Sequence, residues 1–532
     1  MTQINKYKIE LFLFLLTLIS RLPFVSKILY SWDAVQLSLA LKRFDLAGHQ
    51  PHPPGYVLYV FLGKIFSLFF SDPNTAYTTI SIFISAITVI IFYNFLKLIF
   101  NNQKTSFCVS LLLIFNPYFW FYGEVASTYI FDALFSLIFA YLTLLIIKEN
   151  KVKYFYLFTS LLAISGGFRQ SLLFLFFPLW IFALIILLKN KKINFKQILI
   201  NIIIGILFLL IWFLPLIYLS GGWTEYWQAT DWQLSNASQE TSFFSGASIN
   251  RIFISFRYVI KITLVILNIC FLLPLLLFLT KKTVKIKTIF TSQIFYLFLI
   301  WLIPSYCVYI FIHFGNSGYL MTVSLGLLII FCSPFYILEK KFSLQKIICG
   351  LLIAVNIFIF LFVNLNFIKQ NNYLNFLANE YNYSSIINFD QKIKLLIKKI
   401  KEYDPQKTIL VVENGFQYQS LNSKNPLPST YKYFRHVEYY LPEYDLYELF
   451  YSDPRRYFYV KNYSRLKINY SDQIKIRPTV EKIIIISDNI DENFIKQSLI
   501  QKIKLNDQVT LFMINFNNQK EVKYYKYKFI KD

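Results

Sequence analysis

Charge is scarce in this sequence. Asp, Glu, Lys and Arg make up 15% of its 532 residues, while 56% are hydrophobic and 20% aromatic. Soluble domains typically carry roughly 25% charged residues to cover their cores, so a water-soluble globular protein is excluded. Cysteine is scarcer still. Cys108, Cys270, Cys307, Cys332 and Cys349 all fall inside apolar runs, and no CxxC pair occurs. A disulfide framework and a thiolate metal site are therefore both excluded. Acidic residues are few, 29 against 53 Lys and Arg, for a net charge of +24. In an apolar chain such a surplus marks cytoplasmic loops. No nucleic-acid-binding motif accompanies it, so nucleic acid is not an expected partner. Internal repeats and a low-complexity tail are also missing. After MTQINKYKIELFLFLLTLIS there is no small-residue cleavage site, and this first apolar run reads as an uncleaved transmembrane helix.

What the chain does have is apolar runs of about twenty residues or more, the length a helix needs to cross a bilayer core. The first spans about Tyr7 to Val25. Gly55 to Phe70 is short, carries Lys64 and reads as a helix lying at the membrane interface. Crossings follow at about Ala76–Ile99, Ser106–Trp120, Thr128–Ile147 and Tyr154–Phe168, then on to Leu188, at Ile198–Leu219, Ile252–Thr280 and Ile289–Phe311, to the EKKFSLQK stretch, and at Ile347–Ile368. The loops NNQK, KENKVK, KNKKINFK, KKTVKIK and EKKFSLQK then share one side and all carry Lys. The positive-inside rule makes that side cytoplasmic, with about eleven helices, a cytoplasmic N-terminus and an extracytoplasmic C-terminus in the cell (inner) membrane. The stretch after the seventh crossing, SGGWTEYWQATDWQLSNASQETSFFSGASINR, reads as a polar, aromatic loop.

From about Lys369 the composition turns polar. KTILVVEN and KIIIISD are strand-like, and FDQKIKLLIKKIKEY reads as an amphipathic helix. The expected architecture is a polytopic α-helical membrane domain over 1–368, with a first outer loop over 26–75, followed by an extracytoplasmic α/β domain over 369–532.

Ionisable residues other than the cytoplasmic lysines gather at the opposite helix ends. The first outer loop has Asp33, His49, His52 and Lys64; WFYGEVASTY has Glu124; GGFRQ has Arg169; HFGNSGY has His313 and Tyr319. Arg257 and Lys261 are four apart, on one helix face. Each costs roughly 2.5–3.5 kcal/mol to insert, which snorkelling to the surface or a lipid-linked phosphate would offset. Lys64 has the same two readings. Trp223, Tyr226 and Trp227 suit stacking on a sugar, and equally an interfacial aromatic belt. The stretch FRHVEYYLPEY, Phe434 to Tyr444, is dense in aromatic and ionisable residues without matching a known pattern.

Taken in order, an acid after the first helix, HPPGY, the GEVASTY turn, an Arg closing the fifth helix, SGGWTEY and HFGNSGY resemble the GT-C fold glycosyltransferases. The likeness is to the protein O-mannosyltransferase and aminoarabinose transferase group (glycosyltransferase family 39-like), in its bacterial HPPGY branch. It covers about Ile9 to Leu338. The resemblance implies transfer of a sugar from a polyprenyl-phosphate donor to a protein, lipid or glycan acceptor at the outer membrane face. It makes Asp33 the catalytic carboxylate and Glu124 the second acidic position. It sets His52, Arg169 and His313 near the donor phosphate, for which Lys64, Arg257 and Lys261 are further candidates on their charge and position. Trp223, Tyr226, Tyr319 and His49 then fall to sugar or acceptor. Some branches hold a divalent metal at the acidic positions, so Asp33 and Glu124 are also candidate metal ligands. The rival classes are a transporter or lipid flippase, which would spread ionisable groups through the membrane midplane, and a non-catalytic scaffold.

Overall fold

The structure, a computed structural model, describes residues 7–275, 291–340, 342–363, 380–414, 431–453, 456–461, 469, 471–487, 500–505, 510–516, 519–524 and 527–532. By its contacts the chain divides into two units, Met1–Ser26 with Pro54–Ile386, and Lys27–Pro53 with Ile387–Asp532. The first outer loop is thus divided. Its first half, expected with the membrane domain, finds its packing partners in the C-terminal unit.

The first unit is helical. Among the described residues eight helices are long and apolar enough to cross a membrane, or nine if a bent pair is one span. Lys8–Arg21 and Val152–Phe168 are shorter, and with these two each expected crossing coincides with a helix among the described residues. The helix expected over Ser106–Trp120 is the bent pair, Gln103–Ile114 and Pro117–Glu124, turned by 57°. Pro117 lacks the N–H that a continuous helix would use there. Asn116 restarts the helix, its side chain accepting from Phe119 N at 3.1 Å and donating to the Ile266 carbonyl at 2.7 Å. Val57–Phe66 has 10 residues. At 1.5 Å per residue it reaches about 15 Å, half a bilayer core.

One further expectation is corrected. The stretch after Leu219 is a helix, Trp223–Thr241, and not a loop. Gly221 and Gly222, at φ of +93° and +123°, end the preceding helix and turn the chain into it. Its sequence is polar overall, so a reading by apolar length passes over it. The eighth crossing is helical over Ile249–Leu267 and continues as a 3₁₀ turn, Asn268–Leu272; the KKTVKIK loop lies outside the described residues.

Close approach organises the middle of this unit. A Cβ on Gly167 would stand 2.5 Å from Leu58 and 2.8 Å from Trp212, so Gly166 and Gly167 let Val57–Phe66 and Phe195–Leu219 pack against Val152–Phe168. Buried Trp212 donates to the Ala163 carbonyl at 2.8 Å, and buried Trp301 to the Thr322 carbonyl at 2.9 Å.

The second unit is α/β, as the alternation of strand-like and amphipathic runs predicts. Its strands are β1 (Thr408–Asn414), β2 (Asp445–Asp453), β3 (Arg456–Lys461), β4 (Gln473–Ile476), β5 (Lys482–Ile486), β6 (Ile500–Lys504), β7 (Thr510–Asn515), β8 (Glu521–Tyr524) and β9 (Tyr527–Lys531). They form a six-stranded mixed sheet in the order β3-β2-β1-β5-β7-β6 and a three-stranded sheet, β4-β9-β8. β1 lies parallel to both β2 and β5. Its residues alternate between two cores. Ile409 and Val411 pack with Ile474 and Phe529 of the small sheet, while Leu410 and Val412 pack with Ile393, Leu396 and Phe434 of the helices. Burial on both faces explains the unbroken apolar runs of β1 and β5. Ile28, from the first outer loop, is part of the helical core.

We expect Ile484→Ala, at a fully buried β5 position, to destabilise this unit by about 2–5 kcal/mol. Pulse proteolysis of the detergent-solubilised chain in urea, scored on cleavage after Ile387, measures it.

Candidate active site

In the first unit the site gathers around Arg169, which follows the Val152–Phe168 helix. Its Nη1 forms a buried ion pair with the Asp132 carboxylate. Asp132 and Tyr129 stand three apart in the first turn of Tyr129–Glu149 and share a face. The guanidinium lies over both the Tyr129 ring, at 4.8 Å, and the Tyr319 ring, at 4.3 Å, a cation–π arrangement that strengthens away from water. Gly318 makes this stacking possible, because a Cβ there would come within 2.2 Å of the Tyr129 ring.

The HFGNSGY turn adds His313, whose ring lies 5.9 Å from that of Tyr319 and whose Nδ1 is 3.0 Å from Thr241 Oγ1. Thr241 ends the unexpected Trp223–Thr241 helix, and that helix also brings in Tyr226. Tyr226 is 3% exposed. Its hydroxyl is 3.2 Å from Gln170 Nε2, which donates to the Pro54 carbonyl of HPPGY at 3.3 Å. Arg169, His313, Tyr319 and Tyr226 are therefore assembled as neighbours or one residue removed. Lys64 and Arg257 are exposed and Lys261 is half-buried. Among the described residues no hydrogen bond or ion pair joins those three to the Arg169 cluster. Trp223 is exposed and packs edge-on against Trp227.

Glu124 is not an open loop carboxylate. It ends the helix Pro117–Glu124 at 0% exposure, and its Oε1 accepts from Trp120 Nε1 at 2.6 Å. Arg21, also fully buried, is its electrostatic partner. The Arg21 guanidinium donates to the Ile114 carbonyl at 2.7 Å and stacks 5.2 Å from the Trp120 ring. The main chain is tied here too, by Ser26 N to the Glu124 carbonyl at 3.1 Å and Asn74 Nδ2 to the Ser26 carbonyl at 2.7 Å. Sequence reading missed Arg21 and Asp132. Arg21 looks like the end of an apolar helix and Asp132 like one acid inside another. The available signal was the cost of an unpaired charge in each run, which demands a partner.

In the second unit Asp33 occupies the first turn of the helix Trp32–Lys42, after the N-cap Ser31, whose hydroxyl accepts from Ala34 N at 3.1 Å. His52 Nδ1 stands 3.8 Å from Asp33 Oδ1, an ion-pair separation too long for a hydrogen bond. The Asp33 side chain is 37% exposed. His49 is buried at a φ of +54°, beside the Asp45–Gln50 bridge. Among the described residues no three His, Cys, Asp or Glu side chains group as one metal site.

Replacing Asp132 by Ala strands a buried guanidinium, and we expect a loss of about 3–5 kcal/mol. Thermal unfolding of the purified protein should show Asp132→Ala with Arg169→Met to be milder than Asp132→Ala alone, the signature of a coupled pair.

Residues 48–194, which carry His49, His52, Glu124, Asp132 and Arg169, match the family Protein O-mannosyl-transferase TMEM260 N-terminal domain. No curated protein matches the chain. Among solved structures, ArnT from Cupriavidus metallidurans bound to undecaprenyl phosphate superimposes with a TM-score of 0.51 at 10% identity, over 96% of this chain and 98% of that one. ArnT from the same organism in the apo state gives 0.48 at 10% identity, over 94% and 97%. At such identity the likeness is one of fold, and it extends over nearly the whole chain. This is a multi-pass membrane protein of GT-C fold that resembles the protein O-mannosyltransferase and aminoarabinose transferase group.

Proposed function

We propose that the chain is an integral-membrane glycosyltransferase that moves a sugar from a polyprenyl-phosphate donor to an acceptor hydroxyl on a protein, lipid or glycan. The observation that carries this reading is the buried Arg169, held by Asp132 between Tyr129 and Tyr319. It lies in a stretch that matches an O-mannosyltransferase domain family. The fold supports it as well, since the ArnT structure of the same fold was solved with undecaprenyl phosphate bound.

Glycosyl transfer from such a donor breaks the bond between the anomeric carbon and a phosphate oxygen. Negative charge grows on the departing polyprenyl phosphate and has to meet cations or donors. Asp132 engages Nη1 of Arg169, while a guanidinium carries five N–H donors in all. His313 is the next candidate donor beside it, and Arg257 and Lys261, on one helix face, would hold the phosphate from the lipid side. The acceptor oxygen attacks the anomeric carbon, and its proton passes to Asp33. That role suits a carboxylate in partial contact with solvent and within ion-pair range of His52. Glu124, buried against Trp120 and Arg21, would shape the site and not exchange protons with solvent. Tyr226, Tyr319, Trp223 and His49 are left for the sugar and acceptor, and Lys64 for the phosphate. In this reading the N-terminus is cytoplasmic, and transfer takes place on the opposite face of the inner membrane.

The purified full-length protein, offered a panel of polyprenyl-phosphate sugars, should transfer from at least one. Asp33→Asn should then lower kcat by on the order of 10²-fold or more. An Asp33→Asn protein that transfers at the wild-type rate removes Asp33 from the chemistry. A folded wild type that uses no donor overturns the reading itself. Loss of transfer in EDTA, with recovery in Mg²⁺, would add a divalent ion to the reaction.

A further inference from the structure

The reaction above makes no use of the stretch Phe434–Tyr444, although it holds two of the most deeply buried ionisable side chains in the second unit. Arg435 and His436 are 0% and 1% exposed. Both stand on the helix Tyr431–Tyr440, and both reach main-chain atoms of the Lys27–Pro53 segment. The His436 Nε2 lies 2.6 Å from the Leu29 carbonyl. A carbonyl only accepts, so that nitrogen carries the proton and donates. Arg435 Nη2 donates to the Gly48 carbonyl at 2.6 Å, and Nη1 to Glu438 Oε2 at 2.5 Å. The same guanidinium stands 5.6 Å from the Trp32 ring, next to Asp33.

Two neighbours complete the hold. Asp390 accepts from Lys27 N at 2.6 Å and from Ile28 N at 3.2 Å, and the Tyr440 hydroxyl accepts from Leu29 N at 3.1 Å. The contacts fall on the two flanks of the segment. Lys27 to Leu29 lead into the helix whose first turn bears Asp33, and Gly48 lies four residues before His52.

Apolar side chains would fill this interior at less desolvation cost than a buried guanidinium and imidazole. What they could not do is grip a backbone. Hydrogen bonds to carbonyls and amides fix the path of the segment whatever its side chains are.

We infer that Arg435 and His436 are positioning residues, which clamp both flanks of the Lys27–Pro53 segment and so set the placement of Asp33 against His52 for transfer. The inference rests on the reading that Asp33 takes the acceptor proton. A displacement of about 1 Å in a reacting group is enough to cost on the order of 10²-fold in rate, which is the size of effect expected.

The test uses the full-length protein in detergent, with His436→Ala, His436→Gln and Arg435→Ala beside the wild type. Amide exchange by mass spectrometry reads peptides covering 27–33 and 46–53, and steady-state kinetics reads transfer. We expect His436→Ala to speed exchange at 27–33 and Arg435→Ala at 46–53. Both should lower kcat by on the order of 10²-fold with the donor KM unchanged. His436→Gln keeps an N–H donor and should recover most of the rate. Unchanged exchange in both Ala variants overturns the clamp. Faster exchange with an unchanged kcat overturns the positioning role, and so does a kcat loss that only follows the unfolded fraction and that His436→Gln does not relieve. If the wild type transfers from no donor, the proposed function falls, and the exchange arm alone then decides whether the clamp exists.

Discussion

A positive charge buried in an apolar helical bundle has to find its counter-charge inside the protein. That constraint shapes the first unit more than any other. Arg169 sits at a helix end with Asp132 against its Nη1 and tyrosine rings on its faces. Arg21 is fully buried, with Glu124 as its electrostatic partner and the Ile114 carbonyl as an acceptor. Arg21 and Glu124 belong to helices far apart in sequence, while Arg169 and Asp132 join two consecutive helices. Each pair also ties chain breaks, the bend at Asn116 and the turn at Gly318, to a particular place. Water is not there to solvate these groups, so the pairs define where the helices end and the polar chemistry begins.

The second unit solves a different problem. Its central strands are apolar on both faces and are covered on both, by helices on one side and a small sheet on the other. The helical side is also where Lys27–Pro53 is incorporated. Ile28 and Trp32 supply apolar contact, and Asp390, Arg435, His436 and Tyr440 bind the backbone. The segment richest in candidate chemistry therefore takes its local structure from residues some 360 to 410 positions later in the chain.

Much of the fold was legible. Among the described residues apolar length located each helix long enough to cross a membrane, and the Val57–Phe66 helix is as short as its sequence implied. Unbroken β-branched runs gave β1 and β5, and the amphipathic stretch Phe389–Tyr403 falls largely within the helix Tyr383–Ile400. The helix Trp223–Thr241 was hidden because it is polar overall, and apolar length was the guide to helices in this part of the chain. Of the site, the Asp33–His52 neighbourhood and the grouping of Arg169 with Tyr319 and His313 followed from residues at helix ends. Lys64 and Arg257, read from the same pattern, are exposed, where water, headgroups or a lipid-linked phosphate can each meet the charge.

The sequence by itself determined that the chain crosses a membrane many times and ends in an α/β domain. Both follow from composition and periodicity, which are local properties of the backbone and its solvent. Tertiary structure alone decided the pairings, Arg169 with Asp132, Arg21 beside Glu124, and Arg435 and His436 on the Lys27–Pro53 backbone. A buried charge announces in sequence that it needs a partner. Which partner it gets depends on how the helices and strands pack, and that information is spread over the whole chain.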